Sequence, residues 1–515
     1  MHPVLIAGAG PGHPGYITVR ALEAIRGADV LLYDHLVHPA LVAESSESAE
    51  RISVGKFGGK GGTSQEEILR LLEKKARAGK RVVRLKGGDP LVFGRGGEEA
   101  MFCAARGIPF EIIPGITAAV GAAATAGIPL THRGVSGSLH VATGHEDASK
   151  AGGAVNWASI ARAGGTMAIY MAGKSLADVA RRLVRAGRPA KTPAATIEWA
   201  TLPRQRVVVS TLGRLAADAE TARLEPPVLV LAGDVVRLRA SIDWFSRRPL
   251  SGRIVLVTRA TAFAGTLARA LEAQGAWAVE CPSIRIEEIR PNPSLARALG
   301  RPGRFSWVVF ASPKAAHLFF EGLRANGLDA RALAGVRIAA IGSETAKRLA
   351  EGGLRPDLVP VRHTSEGLLA EFPKPPRGTR KRPARCGAGR PSILLPRGEE
   401  GTDVLPKGLA ALGWGLVCVS LYRTHPVRGL PEEARRMLKD DRADAVLFAS
   451  GSAARAFAKN LRAAGIRRLP PRIRTISMGP ATSAAMRAAG LRIDAESDVQ
   501  SIPGLVETLE KALKA

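Results

Sequence analysis

At 515 residues the chain is too long for one hydrophobic core, and a prior of roughly 100–200 residues per domain gives about three or four lobes. Hydrophobic residues at 46% and charged residues at 23% exclude a disordered chain and a membrane-embedded one. The formal net charge of +28 favours an acidic partner, either nucleic acid or a small polycarboxylate; aromatics at 4% and the lack of a helix-turn-helix, zinc-finger or RNA-binding signature count against nucleic acid.

The chain opens on a strand-like run, 4–7, without a secretory pattern, and the longest small-apolar stretch, 118–130, falls short of the ~20 residues of a membrane span. A cytoplasmic location is expected. Cys103, Cys281, Cys386 and Cys418 form no C-x-x-C pair, which points to buried thiols and to neither a disulfide framework nor a metal site.

Short apolar runs alternate with Ala-, Leu-, Arg- and Glu-rich helical stretches from end to end, the pattern of parallel α/β architecture. The first strand runs into GAGPGHPG, 8–15. Gly10, Gly12 and Gly15 satisfy G-x-G-x-x-G, and Asp34, ending VLLYD, stands about 20 residues further on, as in a dinucleotide fingerprint. A nicotinamide enzyme is one reading. Pro11 and Pro14 each withdraw a backbone N–H from the loop that would hold a pyrophosphate, so the glycines also read as the edge of a different pocket.

A second glycine cluster, RLKGGDPLVFGRGGEEA at 84–100, follows another strand and sets Asp89 where it can accept hydrogen bonds from an amino or hydroxyl group. A third, at 112–133, starts with a Pro-Gly turn and continues as a helix of small residues suited to close packing. Arg84, Arg95 and Arg133 are candidate partners for substrate carboxylates.

Taken together, GAGPG, YDHLV, VGK, RLKGGDPLVFGRGGEE, PGITAA, GIPLTHR, TGHE, YMAGK and GDVVRLRASIDWF closely resemble the uroporphyrinogen-III C-methyltransferases of the tetrapyrrole methylase family, over about residues 3–246. The resemblance implies two α/β domains, usually dimerised, with S-adenosylmethionine in the cleft between them and two methyl groups passing to uroporphyrinogen III to give precorrin-2. Carried over by motif, Pro11, Gly87, Gly88, Asp89, Val92, Thr117, Ala118 and Met171 contact the cofactor. Ala200 does so too, at a position where the family often has Gly. Asp34 and Lys56 match the family's proposed proton acceptor and donor, although the same residues also suit a helix cap and a solvated cation.

WFSRRPLSGR, 244–253, breaks the α/β rhythm and places a boundary near 248, giving domains 1–247 and 248–515. Beyond it the chain repeats itself: Arg259 matches Arg397, Ser312 matches Ser450 and Gly342 matches Gly479, all about 138 positions apart, too long a period for a solenoid and fitting two similar lobes. Residues 373–391, rich in Pro, Gly and Arg, read as a surface loop.

In order, VLVTRA, VVFASPKAA, IAAIGSETAKRLAEGGL, LYRT, VLFASGSAARAF and ISMGPATSAAMRAAGL resemble uroporphyrinogen-III synthase over about 250–512. The resemblance implies two α/β lobes joined by a pair of strands, lobe one at about 248–284 plus 426–515 and lobe two at about 285–425, enclosing hydroxymethylbilane, a flexible octa-acid. Ser312, Ser343, Ser450, Ser452 and Thr482 stand where strand ends turn into helices and are candidates for carboxylate binding or for simple N-capping. Arg259 and Arg397 are candidate bidentate donors. Tyr422 matches the family tyrosine proposed to assist hydroxyl departure. The competing classes are a nicotinamide oxidoreductase fused to a two-lobed sensing domain and a basic nucleic-acid scaffold.

Overall fold

The computed structural model describes residues 1–55, 63–144, 155–173, 175–258, 261–376 and 392–514, with the side chains of 261–264 outside that description. Two compact units emerge, Met1–Arg253 with Gln274–Trp277, and Ile254–Ala273 with Ala278–Ala515. Among the described residues no helix is long and apolar enough to cross a membrane.

In the first unit, β1 (Val4–Gly8), β2 (Val30–Tyr33), β3 (Glu50–Ser53), β4 (Val82–Lys86) and β5 (Phe110–Ile113) form one sheet in the order β3-β2-β4-β1-β5, parallel throughout. Strands of such sheets are covered on both faces and usually apolar along their length. The central strand β4, VVRLK, is buried at every position yet carries Arg84 and Lys86. The C-terminal ends of β4, β1 and β5, which are neighbours, deliver the three glycine-rich loops to one edge of the sheet, the edge at which open α/β sheets bind ligands.

The second sheet of this unit departs from the parallel expectation. β6 (Leu139–Thr143), β7 (Thr166–Tyr170), β8 (Pro193–Glu198), β9 (Arg206–Thr211) and β10 (Val228–Ala232) lie in the order β6-β7-β10-β8-β9, and β6–β7 is its one parallel pair. The chain between β8 and β9, 199–205, is too short for a crossover helix, so the two strands return on each other as a hairpin.

In the second unit, β11 (Ile254–Val257) and β12 (Trp277–Glu280) precede five strands that make a sheet of their own. These are β13 (Ile284–Glu288), β14 (Trp307–Phe310), β15 (Arg337–Ala340), β16 (Ser392–Gly398) and β17 (Gly415–Pro426), ordered β13-β17-β16-β14-β15. The chain then returns with β18 (Ala445–Phe448), β19 (Arg474–Ser477) and β20 (Ala495–Glu496) to complete the order β12-β11-β18-β19-β20. Antiparallel β13 and β17, paired from Ile284↔Pro426 to Glu288↔Tyr422, are the double strand at which the chain passes between the two sheets.

The sequence repeat has a residue-level counterpart. Ser312 and Ser450 cap their helices by accepting from Ala315 N at 3.1 Å and Ala453 N at 3.3 Å. The Asp357 carboxylate accepts from Ile338 N at 2.7 Å, and that of Asp494 from Thr475 N at 2.8 Å. Thr364 and Ser501 accept from Gly367 N and Gly504 N at 3.0 and 3.2 Å. Each device closes a backbone donor left over at a helix start or strand edge, which is why it survives in both copies.

Candidate active sites

In the first unit the three glycine loops touch backbone to backbone. Gly10 N donates to Gly88 O at 3.2 Å and Gly88 N to Gly10 O at 2.7 Å. A Cβ on Gly8 would stand 2.6 Å from Gly88 O, and one on Gly115 only 2.3 Å from the same oxygen. Asp89 braces this junction, its Oδ1 accepting from Leu91 N at 2.8 Å and its Oδ2 from Gly115 N at 3.0 Å. A carboxylate has about four acceptor positions, so ligand donors still have room.

The helix Ala118–Ala126 starts beside the junction, and Pro11 packs over it so closely that a Cβ on Gly121 would stand 2.5 Å from the proline ring. Val92, Ala118 and Ala200 are brought together as half-buried residues on one core cluster. Thr117 is joined to Tyr170, Oγ1 to phenol oxygen at 2.7 Å, and that oxygen also accepts from Ala119 N at 2.7 Å. Tyr170 ties the end of β7 to the helix start; as one aromatic in an apolar strand, it carries no sequence signal for that role.

Around this point five non-glycine residues hold left-handed backbones: Phe93 (φ 53°), Arg95 (φ 58°), Met171 (φ 54°), Trp199 (φ 46°) and Thr201 (φ 71°). Such conformations are costly and gather where a site imposes them. The β8–β9 hairpin tip is held by Thr201 Oγ1, which accepts from His13 N at 3.0 Å, and by Gln205 Oε1, which accepts from Thr201 N at 2.8 Å and from Thr125 Oγ1 at 2.6 Å. Gln205, a polar residue in a hairpin turn, is likewise silent in the sequence.

Asp34, at the end of β2, meets Arg84 of β4 at 2.5 Å through Nη2. Arg84 Nε reaches Glu99 Oε1 at 3.1 Å, where Lys86 Nζ also binds at 3.0 Å; Lys86 lies 4.0 Å from Asp34. Arg84, Lys86 and Glu99 are buried, whereas the Asp34 side chain is 30% exposed. Burial, reinforced by Arg84, pushes the Lys86 ammonium below the usual lysine range, against the pull of Glu99 and Asp34. These pairs explain how β4 tolerates two cations in a buried strand. They also correct the expectation for Arg84: with its guanidinium committed to two carboxylates inside the protein, it is not available to a substrate. Arg95 is exposed and paired with Glu98 at 2.6 Å, Arg133 is exposed, and Lys56 lies outside the described residues.

In the second unit, Tyr422 lies within β17, opposite Gly398 at the end of β16, with Ser312 just past the end of β14 and Arg397 next to Gly398. The Tyr422 hydroxyl is 3.4 Å from Ser312 Oγ, and its ring covers Gly398 so closely that a Cβ there would stand 2.7 Å from it. Arg397 curls onto its own loop, donating from Nε to Gly398 O at 3.2 Å and from Nη2 to Gly401 O. Lys314, the second residue of the helix that Ser312 caps, is paired with Glu288 of β13 at 2.7 Å and adds a cation near the tyrosine that sequence reasoning does not single out.

Ser450 and Ser452 lie together, Oγ to Oγ 3.2 Å, at the start of the helix Gly451–Ala463. Ser343 is exposed as the first residue of its helix, behind Gly342 as N-cap. Thr482 differs from expectation: at 7% exposure inside Pro480–Ala488 it is closed off from a large substrate. Arg259 lies outside the described residues.

Residues 3–216 match the model of the Tetrapyrrole (Corrin/Porphyrin) Methylases, and residues 265–507 match that of Uroporphyrinogen-III synthase HemD. The siroheme synthase of Azotobacter vinelandii is 49% identical over 246 residues, 48% of this chain and 52% of that protein, so the chain spans about half of that relative's length. The uroporphyrinogen-III C-methyltransferase of Bacillus subtilis is 37% identical over 344 residues, 67% of this chain and 70% of that protein. The porphyrin biosynthesis protein HemD of Ruminiclostridium josui is 40% identical over 371 residues, 71% of this chain and 73% of that protein, a likeness longer than either family match. The chain belongs to the fusions of tetrapyrrole methylase with uroporphyrinogen-III synthase. Its two activities are S-adenosylmethionine-dependent C-methyltransferase and uroporphyrinogen-III synthase. The nicotinamide reading of GAGPGHPG is thereby set aside.

Two histidines give the methylase half a pH dependence. His13 Nδ1 accepts from Gly15 N at 3.0 Å and His38 Nδ1 from Ala40 N at 3.2 Å, each capping a short helix. Burial lowers both from 6.5, assisted by Arg248 at His13 and by His13 and Arg204 at His38. A folded pKa below the unfolded one means fewer protons bound when folded, so stability is intact above the unfolded value and declines as pH falls below it. The thermal transition that S-adenosylhomocysteine raises is expected to drop between about pH 7 and pH 5, and to drop less in His13→Gln/His38→Gln. Calorimetry with the same slope in both proteins would refute this assignment.

Proposed function

We propose that the synthase half closes hydroxymethylbilane to uroporphyrinogen III with inversion of the last ring, and that the methylase half then transfers two methyl groups to give precorrin-2, on the sirohaem or cobalamin branch. The observation that carries the methylase assignment is the three-loop glycine junction opening beside the Asp34–Arg84 pair. S-adenosylmethionine supplies an electrophilic methyl group on a sulfonium centre. The residues around the junction fit that cofactor. Leu91, Phe93 and Met171 stay 57%, 42% and 50% exposed there, an apolar surface for a heterocycle beside backbone polar groups for an amino-acid end. Pro11, Gly87, Gly88, Asp89, Val92, Thr117, Ala118, Met171 and Ala200 would hold it.

The reduced pyrrole carbon is nucleophilic without strong activation, so positioning carries much of the rate and a base has only to collect a proton afterwards. Asp34, hydrogen-bonded to Arg84 and still partly open, takes that proton; Lys56 is assigned with it as donor. In the synthase half the substrate loses hydroxide readily, and control of conformation is the protein's task. Tyr422 donates its phenol proton toward the departing hydroxyl, with Ser312 as its neighbour. Helix starts at Ser312, Ser343, Ser450 and Ser452, with Arg259 and Arg397, bind propionate and acetate arms. The reading extends to a homodimer formed through the methylase half, in the cytoplasm, with the basic charge serving poly-acid substrates and not nucleic acid.

Purified protein incubated with hydroxymethylbilane is expected to give the type III isomer alone, and dimethylated product once S-adenosylmethionine is added. Exclusive type I product would remove the synthase assignment. No methylation of supplied uroporphyrinogen III would remove the other.

A further inference from the structure

We infer that Glu99 is a positioning residue for methyl transfer, fixing the direction in which Arg84 presents its guanidinium to Asp34. The inference rests on the reading of Asp34 as proton acceptor and deepens it. Glu99 lies in the first turns of the helix Gly96–Ala105 and is fully buried, a costly place for a carboxylate. Its Oε1 gathers three donors: Lys86 Nζ at 3.0 Å, Arg84 Nε at 3.1 Å and Gln65 Nε2 at 3.3 Å. Its Oε2 has no hydrogen-bond partner among the described residues. All the fixed bonding is therefore concentrated on the edge that faces β4.

A guanidinium is planar and rigid, so anchoring Nε on Glu99 determines where Nη2 points, and Nη2 is the atom that meets Asp34. Asp34 is the member of the group with a partly exposed side chain, and the other three are buried. Two cations and two carboxylates balance. The groups facing Asp34 are Arg84 and Lys86 of β4; those facing Glu99 are the same two, with Gln65, Cys103 and, further off, Arg95. Neutralising Glu99 would leave two cations turned on Asp34 alone. Its carboxylate would hold a proton less readily, and a weaker base collects the substrate proton more slowly.

The test uses the full-length Glu99→Gln protein and follows methyl transfer to uroporphyrinogen III against pH. The expected result is a kcat lower by about 10- to 100-fold, an acid limb moved to lower pH, and a KM for S-adenosylmethionine within about twofold of wild type. In an Asp34→Asn background the same change is expected to add nothing in single-turnover assays, because Glu99 acts through Asp34. Unchanged kcat and acid limb in Glu99→Gln, or a loss of equal size in the Asp34→Asn background, overturns the inference while leaving Asp34 in place. Full activity in Asp34→Asn itself overturns the underlying reading instead. Should Glu99→Gln fail to bind S-adenosylhomocysteine, Glu99→Asp keeps the charge but withdraws it from Arg84 Nε; wild-type kcat there also overturns the inference.

Discussion

Replacing Asp34 with Asn is expected to slow methyl transfer to uroporphyrinogen III by about 10²–10⁴-fold, the span typical of a lost general base, and to leave type III isomer formation at the wild-type rate. The substitution is nearly isosteric, and the amide oxygen can still accept from Arg84 Nη2, now 2.5 Å from Asp34 Oδ1. What disappears is the charge. Arg84 and Lys86 then share the single carboxylate of Glu99, so some stability is lost as well, because a buried cation has lost its counter-charge. The synthase activity of the same molecule reports on the integrity of the preparation, and affinity for S-adenosylhomocysteine reports on the methylase pocket. A variant that binds the cofactor product normally and transfers methyl groups within about threefold of wild type would show that Asp34 only anchors Arg84.

The fold class was legible because alternation of apolar runs and helical stretches survives in any α/β chain. The antiparallel part of the second sheet was not, since β8 and β9 look in sequence like any other apolar strands and only their short connection distinguishes them. The glycine junction is legible: at Gly8 and Gly115 a Cβ would collide with neighbouring backbone, and Gly88 holds φ 68°, which side chains rarely adopt. Tyr170 and Gln205 give no comparable signal, as they owe their roles to partners 51 to 80 positions away, and Glu99 owes its role to burial that a helix pattern leaves unspecified. At the head of the glycine-rich stretch Arg84 reads as a partner for substrate carboxylates, whereas its guanidinium is internal, held by Glu99 of the same stretch, 15 positions on, and by Asp34, 50 positions back at the end of β2. In the synthase half the repeated serines are visible in the sequence, and the N-capping offered there as one of two readings is what the hydroxyls of Ser312 and Ser450 do, each accepting a backbone donor.

Gly115→Ala is expected to abolish S-adenosylmethionine binding and to lower the thermal midpoint of the methylase half. The added Cβ would lie 2.3 Å from Gly88 O and 2.8 Å from Gly8 Cα, well inside contact distance. Both obstacles are backbone, so neither can swing aside as a side chain would, and the loops of β1 and β4 must part. Parting them strains the Gly10–Gly88 bridge and pulls Gly115 N from Asp89 Oδ2, now 3.0 Å away. Overpacking of this kind costs about 1–3 kcal/mol, and about 2–4 °C accompanies each kcal/mol in a unit of this size. Gly97→Ala is the matched control. Nothing lies within 4 Å of its Cβ, and alanine inside the helix Gly96–Ala105 is expected to be neutral or stabilising by up to about 1 kcal/mol. Titration calorimetry with S-adenosylhomocysteine separates the two variants. Wild-type affinity in Gly115→Ala would mean that the contact of the three loops is a feature of the scaffold, and that the methyl donor is held somewhere else.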